Sequence, residues 1–255
     1  MQVPSYDLNL DELCLGLSMF GLPAVTSCNL IRSSSNTISA NALESRVRAL
    51  ECDITGAPEG KDIGDSELAA ILRARYDLEK KKCYSASWKW VPSNYYDMDL
   101  EQRAKLLGAH SKMQLCKALL FENKNFSVVG DYDRRNSQFY LVIVQYGAEI
   151  ISKSLEVEVR ALLPLQERLE QSKYEFRLAS ADDNNRLTGY VKNSVTPFGL
   201  LGRETVPIIL ASAINREINF MFMGGGHVDL KLGMAVQEFV RATNAFVLDI
   251  SVTRS

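Results

Sequence analysis

The apolar patterning of this 255-residue chain predicts a mixed α/β (α+β) fold: a curved mixed β-sheet among helices, preceded by a mainly helical N-terminal extension. Three observations carry that reading. From about Val91-Pro92 onward, short runs rich in β-branched and aromatic residues alternate with segments of helical period. Before that point, apolar residues recur at helical spacing beside capping signals. The length suffices for one sizeable core plus an appendage. We therefore expect an extension over residues 1–90 and a main domain over 91–255.

Asp7 and Asp11 suit the first turn of a short helix, where carboxylates meet the positive end of the dipole. Asn41 to Glu44 reads as a capping box opening a helix with Leu43, Val47 and Leu50 on one face. Residues 53–65 are turn-rich. A third helix follows from Asp65 or Ser66 through Leu68, Ile71, Leu72 and Leu78 to the lysine cluster, whose cations suit a helix C-terminus. The main domain begins with an amphipathic helix from Leu100 to about Cys116, then extended chain over Ala118–Phe121. Gly130–Asn136 is a turn into the strand Gln138–Gln145. A helix from Ser154 to about Leu169 is interrupted or bounded by Pro164. Strands are expected at Tyr174–Leu178, Val206–Leu210, Asn219–Phe222 and Ala245–Ile250, with a helix from about Met234 to Arg241.

Composition excludes several function classes. Five cysteines lie far apart without a C-x-x-C pair, and only His110 and His227 are present, so neither a metal nor another cofactor is expected. The nucleophile elbow and the phosphate-binding P-loop motif are both missing. No basic-then-apolar leader and no apolar run near twenty residues occurs, which predicts a cytoplasmic protein with no membrane role. The net charge of −2 hides an uneven distribution. Residues 1–72 carry four basic and ten acidic side chains, whereas residues 73–117 carry ten basic against five acidic. Tyr76, Tyr84, Trp88, Trp90, Tyr95 and Tyr96 interleave with that basic block. Cations mixed with flat rings suit single-stranded nucleic-acid ends, which makes Lys80, Lys81, Lys82 and Lys89 candidate nucleic-acid contacts. A solvated helix face running into a packed aromatic loop is the competing reading.

Three segments point to chemistry. Lys117 sits where helix hands over to strand, beside Cys116 and Ala118-Leu-Leu-Phe121, and either reaches solvent or faces an anion. Cys116 is either a thiol of lowered pKa or a buried apolar group. The bend Lys192-Asn-Ser-Val-Thr-Pro-Phe-Gly199 contains Pro197, which biases Thr196 to extended backbone and can hold the preceding amides in one orientation. The bend Gly224-Gly-Gly-His-Val-Asp229 lets backbone approach closely where a Cβ would collide, although tight turns use glycine too. Small-residue bends that expose amides suit an ester better than a metal.

Together these segments resemble the YbaK/prolyl-tRNA-synthetase-associated family, over roughly residues 98–255. The resemblance implies a barrel-like mixed sheet surrounded by helices. It also implies hydrolysis of mischarged aminoacyl-tRNA in trans, most plausibly tRNA for proline carrying alanine or cysteine, without a covalent intermediate. Lys117, Gly224, Gly225 and Asp229 are then the catalytic candidates, with Lys117 on the acceptor-end anion and Asp229 placing ribose or water. Asn193, Ser194, Thr196, Pro197, Gly226 and His227 become substrate-binding candidates, His227 having either a binding or a packing role. Aminoacyl-tRNA is the expected partner, with an aminoacyl-tRNA synthetase as a second one and no role for DNA. Two departures from the family pattern, Ala118 for a hydroxyl residue and Asn193-Ser194 for a glycine pair, keep open a catalytically quiet adaptor that binds tRNA or a synthetase.

Overall fold

A computed structural model describes residues 55–253 other than 59, 60 and 129, together with residue 47. The chain divides into two units, Met1–Val47 and Arg48–Ser255, and every element described belongs to the second. The helices expected around residues 7–17 and 41–50 lie outside the described residues, apart from a helical Val47.

The architecture is mixed α/β, as expected. Helix α1 (Asp65–Lys80) is amphipathic, burying Ala70, Ile71, Ala74 and Leu78. It leads into strand β1 (Ser87–Trp90), so helix and strand fall within the larger unit although both precede residue 91. Helix α2 (Leu100–Leu107) starts at Asp99, whose carboxylate accepts from the Gln102 amide, and stops at Gly108 in the left-handed conformation. The expected continuation to Cys116 fails because this C-cap ends the helix; one helical turn at Lys112–Gln114 follows instead.

Strand β2 (Cys116–Asn123) pairs antiparallel with β3 (Phe139–Gln145), all seven residues of which are buried. Burial on both faces explains why this run reads as continuous apolar rather than alternating. A short β4 (Ala148–Ile150) and helix α3 (Ser152–Ala161) follow; α3 ends before Pro164, correcting the expected extension to Leu169. Next come β5 (Phe176–Leu178), α4 (Ala181–Thr188), β6 (Ile208–Ala211), α5 (Ser212–Glu217), β7 (Phe220–Gly224), β8 (Leu230–Ala235), α6 (Val236–Thr243), β9 (Phe246–Leu248) and β10 (Ser251–Thr253).

Five strands form one sheet in the order β5-β2-β3-β6-β9, with the β3–β6 and β6–β9 pairs parallel. A second sheet, β1-β8-β7, is wholly antiparallel. A single parallel bridge, Leu115 to Phe222, brings β7 against the start of β2. The strands thus wrap a common core without closing into a barrel among the described residues. The strands at Ser87–Trp90 and Leu230–Ala235 were not among those expected. In the latter, Leu230, Leu232 and Met234 alternate with Lys231 and Gly233, a strand period hidden by the adjacent glycine-rich bend.

Two side chains of α1 fasten the bend that ends at Gly199. The Arg73 Nε donates to the Gly199 carbonyl at 2.6 Å, and the Gly199 amide donates to the Asp77 carboxylate at 3.0 Å. Gly199 itself has φ +68, and a Cβ there would lie 2.7 Å from the Arg73 carbonyl carbon and oxygen. Gly199→Ala is therefore expected to lower the unfolding free energy by about 2 kcal/mol or more, and Gly147→Ala, where a Cβ meets open space, by no more than about 0.5 kcal/mol. Urea denaturation of the two variants beside wild type checks this; equal midpoints would show that the bend tolerates a side chain.

Candidate functional site

A cavity of about 500 Å³ opens between the start of β2, the end of β7 and the bend before Gly199. That volume is in the range of small-molecule sites, roughly 300–1,000 Å³. Lys117, Asn193, Val195 and Gly224 all line it, so the lysine and both bends meet at one place. Lys117 is half-buried on β2, opposite Val144 of β3, with its Nζ 5.9 Å from the Tyr146 ring centroid. Beside it Cys116 is fully buried, which pushes its thiol far above the ordinary range; it is a packed apolar group, not a nucleophile.

The bends touch through their backbones. A Cβ on Gly224 would come within 2.3 Å of the Val195 carbonyl oxygen, and the Gly226 amide donates to the Ser194 carbonyl at 2.9 Å. The glycines therefore admit neighbouring backbone as much as any ligand. Several amides that looked available are engaged internally: Ser194 donates to Val191, Gly225 to Leu230 and Gly226 to Ser194. No hydrogen-bond acceptor is found for the Val195 and Thr196 amides among the described residues. Asn193 takes the left-handed backbone with φ 71, a conformation asparagine tolerates.

Other expected site residues lie away from the cavity. Thr196 and Pro197 are buried beyond the bend, and the Thr196 Oγ1 finds no partner among the described residues. His227 packs on Trp90 with ring centroids 5.1 Å apart. Its Nδ1 accepts from the Asp229 amide at 2.9 Å and its Nε2 lies 3.4 Å from Glu67, while burial lowers its pKa against the opposing charges of Glu67 and Asp229. The Asp229 carboxylate is bound by Lys61 at 2.5 Å.

The basic aromatic segment proves largely self-satisfied. Arg75 stacks on Trp88, Arg103 lies over Tyr95 and Tyr96, and their guanidinium groups also donate to backbone carbonyls. Lys81 pairs with Asp77 at 2.9 Å and Lys89 donates to the Leu107 carbonyl at 2.6 Å. Lys80 and Lys82 remain exposed near the exposed Tyr76 and Tyr84.

Sequence reasoning missed Tyr96, Tyr146 and Lys231, which form one wall of the cavity. Lys231 is 3% exposed. Its Nζ donates to the Val228 carbonyl at 2.5 Å and to the Tyr96 hydroxyl at 2.9 Å; Tyr96 in turn donates to the Asn193 carbonyl at 2.8 Å. Burial lowers the Lys231 pKa to about 7, opposed by the charge of Asp229 and aided by that of Arg103. The alternation of Leu230, Leu232 and Met234 was the available signal, because it turns Lys231 to the other face of β8.

Comparison with known proteins agrees with this geometry. The profile of the aminoacyl-tRNA editing domain matches residues 98–242. Among solved structures, one described as a candidate trans-editing enzyme for prolyl-tRNA synthetase aligns with TM-score 0.54 and 17% identity, covering 76% of this chain and 100% of the other. A scaffold protein from computational epitope grafting aligns with TM-score 0.55 and 15% identity, over 75% of this chain and 100% of the other. A hypothetical protein aligns with TM-score 0.51 and 19% identity, over 71% and 99%. At these identities the structures speak to fold alone. A search among curated proteins finds no match. Because the matched profile spans more than half the sequence and its cavity is built from the lysine and bends that first pointed there, this chain belongs to the aminoacyl-tRNA editing domain family.

Proposed function

We propose that the chain is a trans-editing deacylase that hydrolyses mischarged aminoacyl-tRNA, with tRNA for proline carrying alanine or cysteine as its substrate class. The observation that carries this reading is the meeting of Lys117, Asn193 and Gly224 around one cavity in an editing-domain fold. The description of one structural relative as acting for prolyl-tRNA synthetase supports the choice of tRNA.

An aminoacyl ester is already activated, so catalysis needs orientation, an oxyanion donor and a placed water. In this reading the Lys117 ammonium holds the phosphate or ribose end of the acceptor strand. The Val195 amide replaces those of Ser194, Gly225 and Gly226 as the candidate oxyanion donor, because it borders the cavity while the latter three donate within the protein. Gly224 acts by letting the bends approach, and Asn193 by holding the rim. Thr196, Pro197, Gly225, Gly226, His227 and Asp229 support the walls from behind. Cavity volume excludes a larger, correctly attached amino acid more readily than a smaller one.

The engaged amides and Ala118 favour a second reading, a quiet adaptor that binds tRNA or a synthetase. A panel of mischarged tRNAs separates the two: turnover supports the deacylase, and binding without turnover supports the adaptor. Lys117→Ala is expected to lower deacylation at least about tenfold with an unchanged unfolding midpoint. Equal rates on every substrate would remove Lys117 from the site. For the exposed pair near Tyr76, Lys80→Gln combined with Lys82→Gln should flatten the slope of log affinity for uncharged tRNA against log salt by about one to two units. Filter binding across salt concentrations measures it; an unchanged slope assigns both lysines to solvent.

A further inference from the structure

Lys117 and Lys231 share one cavity but differ in burial. Lys117 is half-buried; Lys231 is almost wholly buried on β8, and the one carboxylate near it, Asp229, is held by Lys61. The groups facing Lys231 from the surrounding elements are the Tyr95 and Tyr96 rings, 4.9 and 4.6 Å from its Nζ to their centroids, the Arg103 guanidinium over those same rings, and, across the cavity, Tyr146 and Lys117. None supplies a compensating negative charge.

The hydrogen bonds decide what the amine can do. The Val228 carbonyl can only accept. The Tyr96 hydroxyl spends its proton on the Asn193 carbonyl and so also accepts from Lys231. Two N–H bonds meet both contacts, so neither acceptor requires the third proton of the ammonium form. In the neutral form the remaining position on nitrogen is a lone pair, on a side chain that lines the cavity. Burial without a carboxylate partner favours that neutral form at neutral pH.

We propose that the Lys231 amine is the base that removes a proton from the water attacking the aminoacyl ester. The inference rests on the deacylase reading above. As the water oxygen bonds to the ester carbonyl carbon, one of its protons passes to the Lys231 nitrogen. The bond from that carbon to the ribose oxygen then breaks, and the proton on Lys231 passes to the departing ribose oxygen. The products are tRNA with a free terminal hydroxyl and the amino acid, whose acid proton goes to solvent; the amine returns to its neutral state. A base whose pKa lies near the working pH is the most effective for such a transfer. The tether from Lys231 through Tyr96 to Asn193 also fixes the base relative to the bend beside the substrate.

The test is single-turnover deacylation of a mischarged tRNA by wild type, Lys231→Met and Lys231→Arg from about pH 6 to 9. The substrate's own α-amine titrates in the same region, near pH 7.7–8.0 as a rough reference, so the comparison is between profiles on one substrate. Wild type should gain an extra rise of about tenfold per pH unit up to about pH 7, which both variants lack while losing about 100-fold in rate. Arginine is permanently charged and has no lone pair to offer, so a Lys231→Arg protein with wild-type rate would overturn the proposal, as would an unchanged profile in Lys231→Met. Wild type inactive on every ester would instead overturn the deacylase reading, and this inference with it.

Two measurements guard against a folding artefact. The folded pKa of Lys231 lies below its unfolded value, so between the two the unfolded chain binds more protons and wild-type stability rises with pH. Lys231→Met should therefore melt above wild type at pH 7, with the gap closing toward about pH 10. In the wild-type protein labelled with ¹³C at lysine Cε, one lysine should titrate near pH 7; a spectrum in which every lysine titrates above about pH 9 overturns the proposal without any variant.

Discussion

The cavity depends on backbone meeting backbone at Gly224. The approach of this residue to the Val195 carbonyl leaves no space for a Cβ, and the Gly226 amide bonded to the Ser194 carbonyl fixes the distance between the two bends. Everything nearby inherits that constraint. Asn193 is turned outward with positive φ, the chain from Ser194 onward dives into the core, and the mouth is left between Asn193 and the start of β2. The anchor for the far end of the first bend is α1, through Arg73 and Asp77 on both polar groups of Gly199. A helix outside the matched profile thereby holds in place a loop inside it. Within the larger unit, the helix Asp65–Lys80 is thus part of the scaffold of that loop.

The electrostatics of the same region follow one pattern: most of its cations meet an acceptor or a ring. Arg73, Arg75 and Arg103 each combine an aromatic face with carbonyl acceptors, an arrangement suited to a planar, weakly hydrated guanidinium. The excess positive charge of residues 73–117 is thus consumed largely in construction. Counting charge along the sequence overstates the surface available to RNA, because the count cannot see which cations face inward. Lys80, Lys82, Lys105 and Lys112 of that block are exposed, Lys112 in an ion pair with Glu101.

Legibility of the sequence varied with how local the determining physics was. Helix α1, strand β3 and helix α6 were readable because period and apolar content act over neighbouring residues, and the core they form is where expected. Helix α2 was overextended because Gly108, a C-cap, was outweighed by apolar residues further on. Lys117, Asn193 and Gly224 line one cavity, yet the reason for the glycines was only half legible. A glycine triplet announces close approach but not the identity of what approaches, and here much of it is protein backbone. His227 and Asp229 drew attention as titratable groups in that bend, whereas the structure gives them Trp90, Glu67 and Lys61 as partners. Such partners come from segments more than a hundred residues away in sequence, so no local pattern could reveal them.

Lys231 shows the converse, a residue with a weak sequence signal and a strong structural one. Its position follows from alternation in β8, since Leu230, Leu232 and Met234 must face the core and turn the intervening lysine to the opposite side. In most strands that side is solvent and the lysine is unremarkable. Here Tyr95 and Tyr96 cover it, so the same geometric rule that normally exposes a lysine instead encloses one. Enclosure without a carboxylate costs the charge but preserves the nitrogen's hydrogen bonds. In the proposal above the enclosed Lys231 amine accepts the proton, a role that a fully solvated lysine, held as ammonium at neutral pH, could not fill.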